Sequence, residues 1–462
     1  MHYREETDSL GPIHVPADRL WGAQTQRSLK YFSIGKERMP LEIVYALARI
    51  KKAAAAANCE LGQLDSHKAR LIGDAADAIA AGEHDAEFPL HVWMTGSGTQ
   101  SNMNVNEVIA NLACDASGTE RGSKTPVHPN DDVNRSQSSN DVFPTAIHLA
   151  VAGLLRERVQ PAAQELLEAL EAKADAWTDI VKIGRTHLQD AVPMTLGQEF
   201  GGYAAMLREN LRRLESAMDE LYPLCLGGTA IGTGLNAPAG FDRCAISELA
   251  AATGLPFRPV EDKFAAQGTH DALTAVSGHY KTLAASLYKI ANDIRLLACG
   301  PRAGFNEISL PANEPGSSIM PGKVNPTQCE ALAMIGAQVM ANDQAVALGV
   351  SGGYLEMNVY KPMIAHNLVQ SSHLLADGMQ NFARFCVAGM EANTERIAEL
   401  MRQSLMLVTA LAPEIGYDAA AKVAKHAHET GGTLRDAALE LGVIDAGRFD
   451  EAINPMRMAR PE

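Results

Sequence analysis

Apolar residues recur every three or four positions along most of this chain. The clearest stretch is 195–221, where Leu196, Phe200, Tyr203, Leu207, Leu211, Leu214, Met218 and Leu221 fall on one face. That spacing predicts a helix whose apolar seam packs into a bundle. Thr195 and Gln198 stand three apart at its start, the pattern of a capping box. Residues 142–177 predict a second long helix, capped by Asn140 or Asp141. Its later stripe is Leu166, Leu167, Leu170, Ala174 and Trp177, and Pro161 should kink or break it. Further helices are predicted over 270–299, 327–348 and 355–391, and shorter segments over 395–411 and 433–441. Alternating runs of Val, Ile and Thr, the mark of strands, are few. The pattern therefore predicts a mainly α fold.

Helices of about 25 residues are long for a globular domain. They suggest an elongated bundle, and such bundles tend to associate through their remaining apolar faces. Before residue 138 the pattern is choppier, with polar runs and prolines; after 394 the segments shorten. The predicted domains are 1–137, mixed and mostly helical; 138–393, the long-helix bundle; and 394–462, small and helical.

Composition narrows the functional classes. A chain of 462 residues exceeds one ordinary core. Its net charge, 40 − 55 = −15, argues against nucleic acid and anionic membranes as partners. No apolar run approaches the ~20 residues of a membrane span. The start, Met1-His2-Tyr3-Arg4-Glu5-Glu6-Thr7-Asp8, resembles neither a signal nor a transit peptide. Seven scattered cysteines without a Cys-x-x-Cys fit a reducing, cytoplasmic setting rather than a disulfide framework or an iron–sulfur cluster. The fourteen histidines include no His-Glu-x-x-His, and His426 and His428 diverge on a helix. No metal and no cofactor are expected.

Four segments break the helical pattern with dense polar groups. The richest is Gly316-Ser317-Ser318-Ile319-Met320-Pro321-Gly322-Lys323-Val324-Asn325-Pro326. It combines glycines, stiffening prolines, hydroxyls and one lysine, equipment for an anion whose charge grows during a reaction. The others are 95–104, with Ser97, Gly98 and Thr99; 128–141, with Ser138, Ser139 and Asn140; and 184–190, with Thr186 and His187. Each is expected just before a helix, whose N-terminus can hold a carboxylate. Any one of them alone reads better as a capped loop. Four together, one carrying His187 and one Lys323, favour a site. Phosphate-loop patterns are absent, and the glycine-rich run 227–236 reads as a tight connection between helices.

The 316–326 segment resembles the signature of the fumarase/aspartase lyase superfamily. The other polar blocks and Trp21-Gly22-Ala23-Gln24-Thr25-Gln26-Arg27-Ser28 are similar to it as well, so the likeness spans essentially the whole chain. Within the superfamily the chain most resembles the class II, iron-independent fumarases. Aspartases typically have glutamine where this chain has His187, and differ over Thr327-Gln328-Cys329-Glu330.

The resemblance implies a mainly α, three-domain subunit with a long central helical bundle, assembled into a homotetramer with a shared helical core. It implies reversible hydration of fumarate to L-malate through an aci-carboxylate. Each active site would draw 138–140, 186–187 and 317–325 from three different subunits. Ser317 would be the base and Lys323 the cation. His187, paired with Glu330, would protonate the departing hydroxyl, or in a competing account would itself be the base through a bound water. Ser97, Gly98, Thr99, Ser138, Ser139, Asn140, Thr186, Ser318, Lys323, Val324 and Asn325 would bind the dicarboxylate. A second anion site would lie at His128, Pro129, Asn130 and Asp131. There the chain departs from the family pattern, carrying Lys124-Thr125-Pro126-Val127 where an upstream arginine is usual.

Overall fold

The apolar stripe of 195–221 forms the helix Leu196–Leu221. Leu196, Phe200, Leu207, Leu214 and Leu221 are completely buried, each contributing about 2 kcal/mol of transfer free energy. The expected capping box is present. Thr195 Oγ1 accepts the Gln198 N–H at 3.0 Å, and Gln198 Oε1 accepts the Thr195 N–H at 2.9 Å. This computed structural model describes residues 2–460. Its other long helices are Asp271–Leu297, Thr327–Ser351 and Lys361–Phe382. Among the described residues, strands form only four two-stranded sheets, and no helix is long and apolar enough to cross a membrane.

Several expectations are corrected. The predicted helix 142–177 is two helices, Ser139–Leu154 and Gln160–Ala176, joined by a wider π-type turn at Leu155–Val159 just before Pro161. Its cap is Ser138 rather than Asn140 or Asp141. Ser138 Oγ accepts the Asn140 N–H at 3.2 Å, and the Asp141 carboxylate accepts the Ser138 N–H at 2.9 Å. The helix expected from 355 starts at Lys361, where Pro362 fits the first turn because its missing N–H has no partner to lose. The stretch 395–411 breaks at Ser404, between the helix Thr394–Gln403 and a 3₁₀ segment, Leu405–Leu411. The polar segment 184–190 does not sit directly before a helix. It is the tip of a β-hairpin, Val181–Thr186 paired antiparallel with Gln189–Thr195.

The chain divides into two compact units. The first comprises Met1–Pro161, Arg212–Ala284 and Gly336–Ala376. There the helix Leu41–Glu60 packs on Ser66–Ala80, Ser139–Leu154 and Phe241–Thr253, burying Ile43, Leu47, Ile50 and Ala54.

The second comprises Ala162–Leu211, Ala285–Ile335 and Asp377–Glu462. Leu411, Val423, Leu434 and Phe449 form a small core there with Ile183 of the hairpin. The same hairpin strand is anchored by charge. Lys182 Nζ lies 2.8 Å from Glu307 Oε2, and Arg185 Nη1 lies 2.6 Å from Glu307 Oε1. The Arg185 guanidinium also covers the Phe305 ring. Glu307 is only 1% exposed, and although Lys182 also pairs with Glu199, neutralising Glu307 strands the Arg185 guanidinium and takes one of the two carboxylates from Lys182. Glu307→Gln is expected to destabilise the protein by about 3–5 kcal/mol. A thermal-unfolding midpoint equal to the parent's would refute this.

Candidate active site

In the first unit, two helices begin side by side. Thr99 opens the helix Thr99–Ser117 and Ser139 opens Ser139–Leu154. Their hydroxyls meet at 2.6 Å, and Ser97 Oγ reaches Thr99 Oγ1 at 2.8 Å. Ser97 and Ser139 are 8% and 9% exposed. The sequence-predicted Ser97, Thr99 and Ser139 thus form one hydroxyl chain at the meeting of two helix N-termini. Both partial positive charges favour an anion there.

Close packing explains the glycines of this cradle. Gly98 lies at φ +78°, and a Cβ on it would come within 2.3 Å of the Phe143 ring. A Cβ on Gly96 would lie 1.4 Å from the Val359 carbonyl oxygen. Asn140 follows Ser139, and its Nδ2 donates to the Ala230 carbonyl at 2.8 Å. The run 227–236 serves the structural role expected of it, because Gly227 and Thr229 donate their N–H groups to Asp141 Oδ2 at 2.9 and 3.0 Å. Burial still pushes the Asp141 carboxyl up, to about 6, against these hydrogen bonds.

Two buried side chains of this region escaped the sequence reading, Lys51 and Lys361, both completely buried. Lys51 Nζ donates to Asn134 Oδ1 and Gln137 Oε1, each at 3.0 Å. Lys361 Nζ donates to the Asn140 carbonyl at 3.5 Å, and its N–H donates to the Gly96 carbonyl at 3.1 Å.

In the second unit, His187 and Leu188 form the two-residue turn of the hairpin, at φ +57° and +61°. Both residues lie in the left-handed region, the geometry of a type I′ turn normally given to Asn-Gly. A histidine and a leucine held there mark a strained turn. His187 and Thr186 are exposed.

The loop 316–326 is tied across its base. Gly316 N–H donates to the Lys323 carbonyl at 3.0 Å, and Asn325 Nδ2 donates to the Gly316 carbonyl. Inside it, Ser317 Oγ accepts the N–H groups of Ile319 and Met320 at 3.3 and 3.0 Å. Two donors aimed at one hydroxyl oxygen stabilise negative charge on that oxygen. Ser318, Lys323 and Val324 are exposed. Among the described residues, no ion pair joins His187 to Glu330, and Lys323 makes none.

A lyase family profile matches residues 11–341, and a profile for the C-terminus of fumarase C matches 407–460. The class II fumarate hydratase of Chromobacterium violaceum is 59% identical over 455 residues, which cover 98% of this chain and 99% of that protein. The chain belongs to the class II fumarate hydratase family. Another such hydratase, from Thermosynechococcus vestitus, is 59% identical over 447 residues, covering 97% of this chain and 96% of its own. The crystal structure of recombinant class II fumarase from Schistosoma mansoni superposes with a TM-score of 0.97 at 46% identity, over the full length of both chains.

In this family member the segment expected to form a second anion site is closed on itself. His128 Nδ1 accepts the N–H groups of Asn130 and Asp131, each at 3.1 Å. Lys124 Nζ donates to the Thr7 carbonyl at 2.8 Å. The adjoining cavity of about 300 Å³ is lined by Glu6, Asp8 and Glu107 together with Lys124 and His128. The backbone N–H groups of 128, 130 and 131 are therefore engaged within the chain.

Proposed function

We propose that this protein is a class II fumarate hydratase, catalysing the reversible, stereospecific hydration of fumarate to L-malate. The observation that carries the reading is identity approaching three-fifths, over nearly the whole chain, to proteins of that name. The hydroxyl chain Ser97–Thr99–Ser139 supports it as a neutral cradle at two helix N-termini, suited to a small carboxylate.

In the malate-to-fumarate direction a proton leaves the carbon next to a carboxylate. The resulting aci-carboxylate carries an extra negative charge, so catalysis must supply a base and stabilise that charge. Ser317 is the base, made more acidic by the Ile319 and Met320 N–H groups on its oxygen. Lys323 and Asn325 take the growing charge. His187 gives the leaving hydroxyl its proton, and an imidazole is the side chain that exchanges protons near neutral pH. Glu330 pairs with His187 once subunits assemble. Thr186, Ser138, Asn140, Ser318 and Val324 complete the substrate contacts. The reading also includes a subunit of three domains, 1–137, 138–393 and 394–462, as the sequence pattern suggests, and a cytoplasmic homotetramer whose active sites combine three subunits, as the family resemblance implies.

His187 favours hydratase over aspartase. One assay separates them: the protein is mixed with L-malate, or separately with L-aspartate, and fumarate absorbance is followed in the ultraviolet. A rise with malate is expected. No rise with malate overturns the proposal, and a rise with aspartate alone replaces it with the ammonia lyase.

A further inference from the structure

The hydroxyl cradle of the first unit is made of neutral donors, yet the substrate read above is a dianion. A dianion leaving water needs counter-charge close by. Lys51 and Lys361 lie immediately behind the cradle, on two different helices. Lys51 holds Asn134 and Gln137, in the segment leading into Ser138. Lys361 grips the carbonyls of Gly96 and Asn140, one in each cradle segment.

Buried lysines are almost always paired with a carboxylate. Here neither makes an ion pair among the described residues. The carboxylate within reach of both is Asp141, and its oxygens already take three backbone N–H groups, from Ser138, Gly227 and Thr229. With both lysines protonated, two cations face one aspartate in a water-poor interior, an excess of one positive charge that a bound anion would balance. Burial accordingly pushes Lys51 down to about 7 and Lys361 down to about 8. The other titratable groups near Lys361 offer little relief. Burial raises the Cys225 thiol to about 12 and lowers His148 and His270, in each case disfavouring the charged form.

We propose that Lys51 and Lys361 are positioning cations whose missing counter-charge is the substrate carboxylate, held through the cradle without direct contact. This rests on the dicarboxylate reading of the site. It explains why two lysines stand where apolar side chains would pack more cheaply. It also explains how hydroxyls alone can face the substrate and still attract it.

The test uses full-length Lys51→Met and Lys361→Met, near-isosteric changes that remove the charge. Inhibition of malate conversion at pH 7 is measured with succinate, which carries two carboxylates, and with succinamate, which carries one. Wild-type turnover of malate is established first, so failure of the hydratase reading is recognised separately. The succinate inhibition constant should rise about tenfold in each variant. The succinamate constant should move less than about threefold, so discrimination by charge collapses. A purely structural disturbance would weaken both inhibitors equally. Equal weakening, or unchanged discrimination, overturns the proposal. If one variant does not fold as the parent oligomer, the other decides. If neither folds, the lysines belong to the scaffold and the proposal also falls.

Discussion

Lys323→Ala is expected to lower kcat/KM for malate by more than about 10³. Removing one neutral donor from a site of developing negative charge typically costs ~10²–10³. Lys323 is a full cation, so its loss also leaves a substrate carboxylate uncompensated. The geometry makes the substitution clean. The loop is tied through backbone groups, Gly316 N–H to the Lys323 carbonyl at 3.0 Å and Lys323 N–H to the Met320 carbonyl at 3.3 Å. Alanine keeps both. The side chain is exposed within the chain, so truncation opens no cavity in the core. Initial rates of fumarate absorbance, with the thermal midpoint as control, provide the check. A loss below about tenfold in a variant as stable as the parent would remove Lys323 from charge stabilisation.

His187→Asn should cost about 10²–10⁴ in kcat, the usual worth of a positioned general acid. Asparagine is chosen for its backbone rather than its side chain. The turn needs φ +57° at residue 187, and asparagine tolerates the left-handed region better than most residues. The hairpin should therefore survive while the imidazole is lost. KM should change much less than kcat, because the group acts on the leaving oxygen. Activity retained within a few-fold of the parent would move the acid to another residue.

Much of this molecule was legible in its sequence, and the misses have physical reasons. The Leu196–Leu221 seam and its Thr195/Gln198 box were visible because apolar spacing and local capping are both short-range signals. The polar segments 95–99 and 138–140 were visible as helix starts rich in hydroxyls. Their meeting at Thr99 and Ser139 was not, because that contact spans 40 positions. The hairpin 181–195 was missed because its turn is His187-Leu188, with neither the glycine nor the asparagine that announces such a turn. Lys51 left a trace that went unread. It sits on the buried stripe of its helix with Leu47, Ala54 and Asn58. A lysine in that place is ordinarily expected to snorkel toward water. Asp141 was taken as a cap, whereas its carboxylate also holds Gly227 and Thr229, a tertiary bond that no local pattern carries.

The cradle's supports bear on how the protein is made. Asn140 is held by the Ala230 carbonyl and by Lys361, and Gly96 by the Lys361 N–H. These partners are separated by 90 and 221 positions. On a ribosome adding residues from the N-terminus, the hydroxyls of Ser97, Thr99 and Ser139 emerge early and wait unsupported. They gain their last brace only when residue 361 clears the exit tunnel. A nascent chain cut short before that point would have the helices of its first unit under way but no finished place for a carboxylate. Quality control acting during synthesis would therefore meet a partly folded chain before any catalyst.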